Sequence, residues 1–377
     1  MPSPAYSNVN AAVADVELRN QCTRWLNGHR PLRSMRESLL ALAELPEAAL
    51  PPDVYGQGQA LQQLEADVAA LLGKPAARFM HKGVAAQLAA LKVWTERRDN
   101  RFVALHQQGH IALDEQDAFE ALLGLQGGRL GFVDTALHVA QLDACARDVQ
   151  LPGAVVVELP LRRGGYRLPE WSELRAISHW CRERGVPLHF DGARLWEAAA
   201  HYDRPLADIA ALADSVYVSF YKGLGGLAGC MLAGEADFIA AIAPWQTRLA
   251  GNVHTLYPFV LSAREGLRRH LPRMAAYRER AQALAAALTA EPGWRIAPEP
   301  PQVNAFQLHL PVGPDALREA LLEVARCERF WLGARAVASH VLEGGAMVEV
   351  VIGDAADGWT DSEALAAWRA AVMRAAG

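Results

Sequence analysis

The sequence predicts an α/β fold, with a large domain built on a mainly parallel sheet between helices and a smaller α/β domain at the C-terminal end. Three observations predict it. The chain has 377 residues, more than the roughly 100–200 of one domain. Residues 153–190 run from an apolar stretch through a helical pattern to a second apolar stretch, which is a βαβ unit and implies parallel strands. Beyond Pro258 the texture changes to long Ala/Leu/Arg helices followed by isolated strand-like runs. The expected division is an N-terminal arm and helix over 1–50, a large domain over 51–257 and a small domain over 258–377.

Composition excludes several classes. With 51% hydrophobic and 21% charged residues, the chain reads as globular rather than disordered or membrane-spanning. The 37 basic and 42 acidic residues form no basic block of the kind that follows a phosphate backbone, so nucleic acid is not an expected partner. Five scattered cysteines with no CxxC pair fit a reducing cytosol, and no metal site is expected. Met1–Asn20 lacks a basic segment followed by an apolar core, and no window approaches the ~20 apolar residues of a span; the expected location is cytoplasmic, with no membrane partner.

The elements follow in order. Leu61–Leu72 repeats apolar residues at three and four positions and stops at Gly73-Lys74-Pro75, which marks a helix. Ala77–Met80 is a short strand, and Gly83 opens a second helical pattern whose free N–H groups would attract an anion. Gly153–Leu159 and Val186–Phe190 are strands flanking a helix over Glu170–Arg184, with Arg162–Gly165 a turn. Ser215–Ser219 is a strand that ends in the glycine-dense Lys222-Gly223-Leu224-Gly225-Gly226 turn, and Ala228–Ala233 returns from it. Strand-like Ala305–Leu310 and Ala346–Ile352 flank a helix near Pro314–Glu328.

Polar residues gather where these strands end. Asp191 follows a buried strand in His189-Phe190-Asp191-Gly192-Ala193-Arg194; alone, it serves equally as a helix cap paired with Arg194. Lys222 alone reads as a solvated surface charge. Together, an aspartate and a lysine at successive strand ends meet the needs of pyridoxal phosphate (PLP), which requires an amine for its aldehyde and an acid near its pyridine nitrogen.

HFDGARLW and FYKGLGGLAGCMLAG resemble the aspartate and lysine blocks of the L-threonine aldolase group of PLP-dependent β-eliminating lyases. The likeness runs in matching order from Tyr55-Gly56 to about Gly234, with Glu158-Leu159-Pro160 where that family has E-N-T. It implies the PLP-dependent transferase-like fold (fold type I, aspartate-aminotransferase-like) with a seven-stranded sheet. It further implies that Lys222 holds PLP as a Schiff base, that Asp191 serves the pyridine nitrogen, and that His110, five residues before Glu115, stacks on the ring. Arg194 would bind the amino-acid carboxylate, and an ion pair with Asp191 or a helix carboxylate is its structural alternative. A homodimer or homotetramer is expected.

Several positions depart from the family pattern. Met80-His81-Lys82-Gly83-Val84 replaces its S-G-T phosphate turn, leaving the N–H groups of Gly83 and Val84 and the charge of Lys82 as candidate phosphate ligands; Lys82 pointing to solvent is the alternative. Arg248 falls, on a loose match, where the family has a phosphate-contacting arginine. Residues 23–31 replace an S-D-T segment, and Val348–Asp354 stands where the family has an arginine before its V-T-H strand, which leaves the substrate carboxylate to Arg194, aided by Arg30 or Arg33.

The expected activity is retro-aldol cleavage of a β-hydroxy-α-amino acid of the threonine or allo-threonine type to glycine and an aldehyde, with His110 or a water it orients as base. The alternatives are β-elimination, racemisation or decarboxylation on the same cofactor, and a non-catalytic scaffold.

Overall fold

The computed structural model describes residues 9–32 and 34–377; Arg33 lies outside the described residues. Contacts divide the chain into two compact units, Met1–Ser38 with Ala275–Gly377, and Leu39–Met274.

The N-terminal segment forms helix α1 (Val9–Gln21) and strand β1 (Arg24–Trp25), and α2 (Met35–Ala43) leads onward. The larger unit then runs α3 (Gln59–Leu71), β2 (Ala76–Met80), α4 (Gly83–Arg97), β3 (Phe102–His106), α5 (His110–Leu113), α6 (Ala118–Leu123), β4 (Gln126–Leu130), α7 (Val139–Asp148) and β5 (Ala154–Glu158). It continues through α8 (Trp171–Glu183), β6 (Leu188–Gly192), α9 (Leu195–Tyr202), α10 (Leu206–Ala210), β7 (Ser215–Ser219), β8 (Cys230–Gly234), α11 (Ala236–Arg248) and α12 (Tyr257–His270).

Its seven strands form one sheet in the order β2-β8-β7-β6-β5-β3-β4. The pairs from β7 to β4 are parallel, while β8 runs antiparallel to both β7 and β2. Strands β2 to β7 therefore all end at the same edge of the sheet. Helix α4 explains how the sheet is covered on one side: Ala85, Ala86, Ala89 and Ala90 are buried, and their small side chains let the helix lie close over the strands. Val93 and Trp94 complete that core with Phe238 and Ile242 of α11. Trp94 and Phe238 stack with centroids 4.5 Å apart, within the range favoured for aromatic pairs. Helix α8 buries Leu174, Ile177, Ser178 and Cys181, the i, i+3, i+4, i+7 stripe of an amphipathic helix.

Helix α12 packs on α3 and burial of Val260, Leu261 and Ala263 ties it to this unit. Its Gly266 sits directly on the lysine turn, where a Cβ would overlap the carbonyl oxygen of Leu224. Alanine gains about 1 kcal/mol over glycine in an open helix. Here Gly266→Ala is expected to destabilise instead, by about 1–3 kcal/mol, which chemical denaturation would measure; a stabilised variant would contradict the close approach.

The smaller unit continues with α13 (Met274–Thr289), β9 (Arg295–Ala297), β10 (Ala305–Leu310), α14 (Pro314–Glu328), β11 (Phe330–Trp331), β12 (Val337–Ala338), β13 (Ala346–Val351) and α15 (Asp361–Ala375). Four strands form an antiparallel sheet in the order β12-β13-β10-β9. The N-terminal arm joins this unit because β1 pairs in parallel with β11, and Cys22 and Trp25 share a core with Leu322, Ala325 and Trp331. Arg30 is held here through its backbone N–H, which donates to Asp354 Oδ1 at 2.8 Å. Thr360 and Glu363 form a reciprocal capping box at the start of α15, satisfying two donors that the helix leaves open.

Candidate active site

The shared edge of the large sheet brings its functional side chains together. Register places Glu158 of β5 beside Asp191 of β6, and Asp191 beside Tyr217 of β7. Ligands of open α/β sheets bind at this edge because loops, rather than paired strands, present their groups there.

Asp191 is only 2% exposed, and its Oδ1 accepts from the Ala193 N–H at 3.2 Å. Behind it, His189 bridges two elements: Nε2 lies 2.7 Å from Gln87 Oε1 on α4, and Nδ1 lies 2.8 Å from Ser215 Oγ on β7. Trp94 Nε1–H donates to the same Ser215 Oγ at 2.7 Å. Burial pushes the His189 imidazole down to about 3, so it is neutral and its role is to fix α4 against the strand carrying Asp191.

Lys222 leaves β7 on a tight turn. Gly225 N–H donates to Lys222 O at 3.0 Å and Gly226 N–H to Phe220 O at 2.8 Å, while Gly225 takes a φ of +67°, a left-handed conformation that favours glycine. Trp196 Nε1–H anchors the root of this turn by donating to Ser219 O at 2.8 Å. Among the described residues the Lys222 side chain makes no hydrogen bond or ion pair. Burial and then the charge of Arg194 lower its ammonium below the ordinary lysine range, against the pull of Asp191 and Glu158. A lysine so placed has more of its amine in the neutral, nucleophilic form than an ordinary lysine.

His110 opens α5, directly after the turn that leaves β3. Its N–H donates to Glu158 Oε2 at 2.8 Å, and its Nδ1 lies 3.0 Å from Glu115 Oε1. Burial works to lower the imidazole, but the Glu115 hydrogen bond and the charge of Asp191 outweigh it and hold His110 above the ordinary histidine value. His110, Glu158 and Asp191 line one small cavity. His106, the sequence competitor, is buried, with Nδ1 accepting from the Gln108 N–H at 3.0 Å.

Arg194 precedes α9 and makes no ion pair among the described residues; its guanidinium lies 5.3 Å from the Tyr166 ring centroid. Lys82 caps the start of α4, and its Nζ lies 5.6 Å from the centroid of the Tyr221 ring, whose centroid is also 6.0 Å from Lys222 Nζ. The first α4 amides, from Gly83 and Val84, lack partners within the helix, and Tyr217 packs so closely on Gly83 that a Cβ there would overlap its hydroxyl. Arg248 is not part of this grouping: it is exposed in the last turn of α11 with its guanidinium 4.5 Å from the Trp245 centroid.

Two acids emerge that the sequence does not single out by role. Glu158 accepts from the backbone N–H groups of both His110 and Arg162, and burial with the neighbouring Asp191 charge raises it to about 7. Glu197, in the first turn of α9, is raised by burial to about 7 from 4.5. A carboxyl that titrates higher in the folded than in the unfolded chain destabilises the fold progressively as pH rises through that window. Glu197→Gln is therefore expected to raise stability by on the order of 3 kcal/mol above about pH 7 and by little near pH 4, a difference that denaturation at the two pH values would read.

The donor set fits pyridoxal phosphate. An amine whose charged form is disfavoured by burial and a buried carboxyl stand at adjacent strand ends, an imidazole faces them, and a helix N-terminus with a lysine at its N-cap position is suited to a phosphate. Fold and site together define a PLP-dependent enzyme of fold type I. Residues 30–310 match the beta-eliminating lyase family, and the chain belongs to it. A solved structure from Listeria monocytogenes, described as an L-allo-threonine aldolase, is 31% identical with a TM-score of 0.88, covering 96% of this chain and 99% of that one. One from Exiguobacterium sp. 255-15, described as an aromatic amino acid beta-eliminating lyase/threonine aldolase, is 33% identical with a TM-score of 0.87 over the same shares. The low specificity L-threonine aldolase of Escherichia coli K12 is 30% identical over 230 residues, 59% of this chain and 66% of that protein. No helix among the described residues is long and apolar enough to cross a membrane.

Proposed function

We propose that this protein cleaves β-hydroxy-α-amino acids of the threonine and allo-threonine type between Cα and Cβ, releasing glycine and an aldehyde. The observation that carries the reading is the unpaired guanidinium of Arg194 beside Lys222, a cation suited to an amino-acid carboxylate next to the amine that would hold the cofactor. The near full-length similarity to an L-allo-threonine aldolase supports it.

Bound PLP supplies a protonated ring able to accept the electron pair left when the Cα–Cβ bond breaks. The chain's residues do the rest. Lys222 Nζ would hold the cofactor aldehyde, Asp191 would keep the pyridine nitrogen protonated, and the α4 amides of Gly83 and Val84 with Lys82 would hold the phosphate. Arg194 orients the substrate carboxylate. His110 would face the bound cofactor and take the β-hydroxyl proton, either directly at Nε2 or through a water it orients, while Glu115 occupies Nδ1 and fixes the imidazole. Arg248 is given no part within this chain's own site.

An oligomer, a homodimer or homotetramer, also belongs to this reading. It is supported by the apolar groove lined by Leu39, Leu42, Leu61, Tyr257 and Leu261, with Leu39, Tyr55 and Tyr257 exposed, since large exposed apolar patches mark contact surfaces. A cytoplasmic setting agrees with five free cysteines.

The test is product analysis of the PLP-loaded protein with threonine, allo-threonine and phenylserine. Aldehyde and glycine in equal amounts are expected; 2-oxobutanoate (phenylpyruvate from phenylserine) and ammonia without aldehyde would replace the reading with β-elimination.

A further inference from the structure

Glu197 is 1% exposed, and neither carboxyl oxygen has a hydrogen-bond partner on another residue among those described. Buried carboxyls are ordinarily satisfied, because an unpaired one costs stability. Its position is specific. The carboxyl lies against the backbone of Gly223, where a Cβ would overlap Oε1, so glycine is required after Lys222 for as long as Glu197 occupies the site. The nearby charges are those of Arg194 and Lys222, yet Glu197 forms no ion pair with either. Nothing in the reaction outlined above uses it.

We propose that Glu197 is a positioning residue for Lys222, bracing the Lys222–Gly223 turn with its carboxyl and favouring the lysine's charged form whenever that carboxyl is ionised. The inference rests on Lys222 being the cofactor lysine. Lys222 is surrounded by Asp191 from β6, Glu158 from β5, Arg162 from the following turn and Arg194 before α9. Of the acids, Asp191 and Glu158 are bound to backbone donors. Glu197 has no such donor on another residue, only its own backbone N–H, so its charge is set by pH and by the neighbouring cations. With Glu158, which also titrates at about 7, it gives the lysine an environment that changes near neutrality, at a cost in stability that a purely structural residue would not be expected to carry.

The experiment compares wild type with Glu197→Gln, which keeps the shape and removes the charge. The rate of reductive methylation of Lys222 is followed against pH in the full chain without cofactor, by peptide mass spectrometry. In the PLP-loaded protein the pH midpoint of the visible absorbance is recorded. The variant-to-wild-type labelling ratio should be near one below about pH 6, where Glu197 is protonated in the wild type, and rise to about threefold above about pH 7. The absorbance midpoint should move to lower pH. Borohydride reduction of the loaded protein separates the two readings: a label on Lys222 with a ratio flat across pH overturns the inference alone, whereas a label absent from Lys222 overturns the cofactor assignment and the inference with it.

Discussion

Lys222→Ala is expected to lower turnover of threonine-type substrates by about 10³-fold, the scale of removing a group that acts directly on the reacting atoms. Loss of fold would not account for it. The Lys222 side chain has no hydrogen bond or ion pair among the described residues, and the turn around it is held by Trp196, Gly225 and Gly226. Because burial depresses the Lys222 ammonium in the folded chain, the variant should unfold at no lower a denaturant concentration than wild type when both lack cofactor. A drop in activity with an equal drop in cofactor-free stability would point to damage rather than chemistry, and retained turnover would remove Lys222 from the mechanism.

The second large effect is expected at Asp191. Asp191→Asn keeps the shape of a buried side chain but removes the charge that would face the pyridine nitrogen. Breaking a buried charge pair costs about 3–5 kcal/mol, which corresponds to about 10²- to 10⁴-fold in cofactor affinity or turnover. A pH effect accompanies it. The Asp191 charge favours the protonated forms of both His110 and Lys222, so removing it lowers both. If His110 must be neutral to accept the β-hydroxyl proton, the acid limb of the kcat/KM profile should move to lower pH in the variant. An unchanged limb with reduced turnover would separate His110 from that proton transfer.

The parts of the fold that could be read from the sequence are those where burial leaves a pattern. Strands β5 (AVVVE) and β7 (SVYVS) lie in the sheet interior and are buried almost throughout, so both stand out as compact runs between turn signals, and the βαβ unit follows from them. Strand β4 (QGGRL) is an edge strand of half-buried and exposed positions, carries two glycines and has no period to find; with it, the layout of 99–152 was not legible. The N-terminal arm pairs with β11 some three hundred residues away, a partnership that local periodicity does not encode.

The same contrast holds in the site. Asp191 and Lys222 were legible because they end recognisable strands, whereas His110 emerged only through resemblance of its HIALDE segment. Glu158 was visible as a position but not as a role, since its partners are the backbone N–H groups of His110 and Arg162 rather than a complementary side chain. Glu197 was not legible at all. A glutamate in the first turn of a helix ordinarily reads as a favourable partner of the helix dipole, and only the packing of Gly223 against it reveals a buried carboxyl with no donor on another residue among those described.

The most direct test of the central claim is to load the protein with PLP, reduce it with borohydride and map the labelled peptide by mass spectrometry, with Lys222→Ala as control. The account predicts a visible absorbance band that disappears on reduction and a single pyridoxyl label on Lys222, absent from the variant. No band, or a label elsewhere that survives in Lys222→Ala, would contradict it.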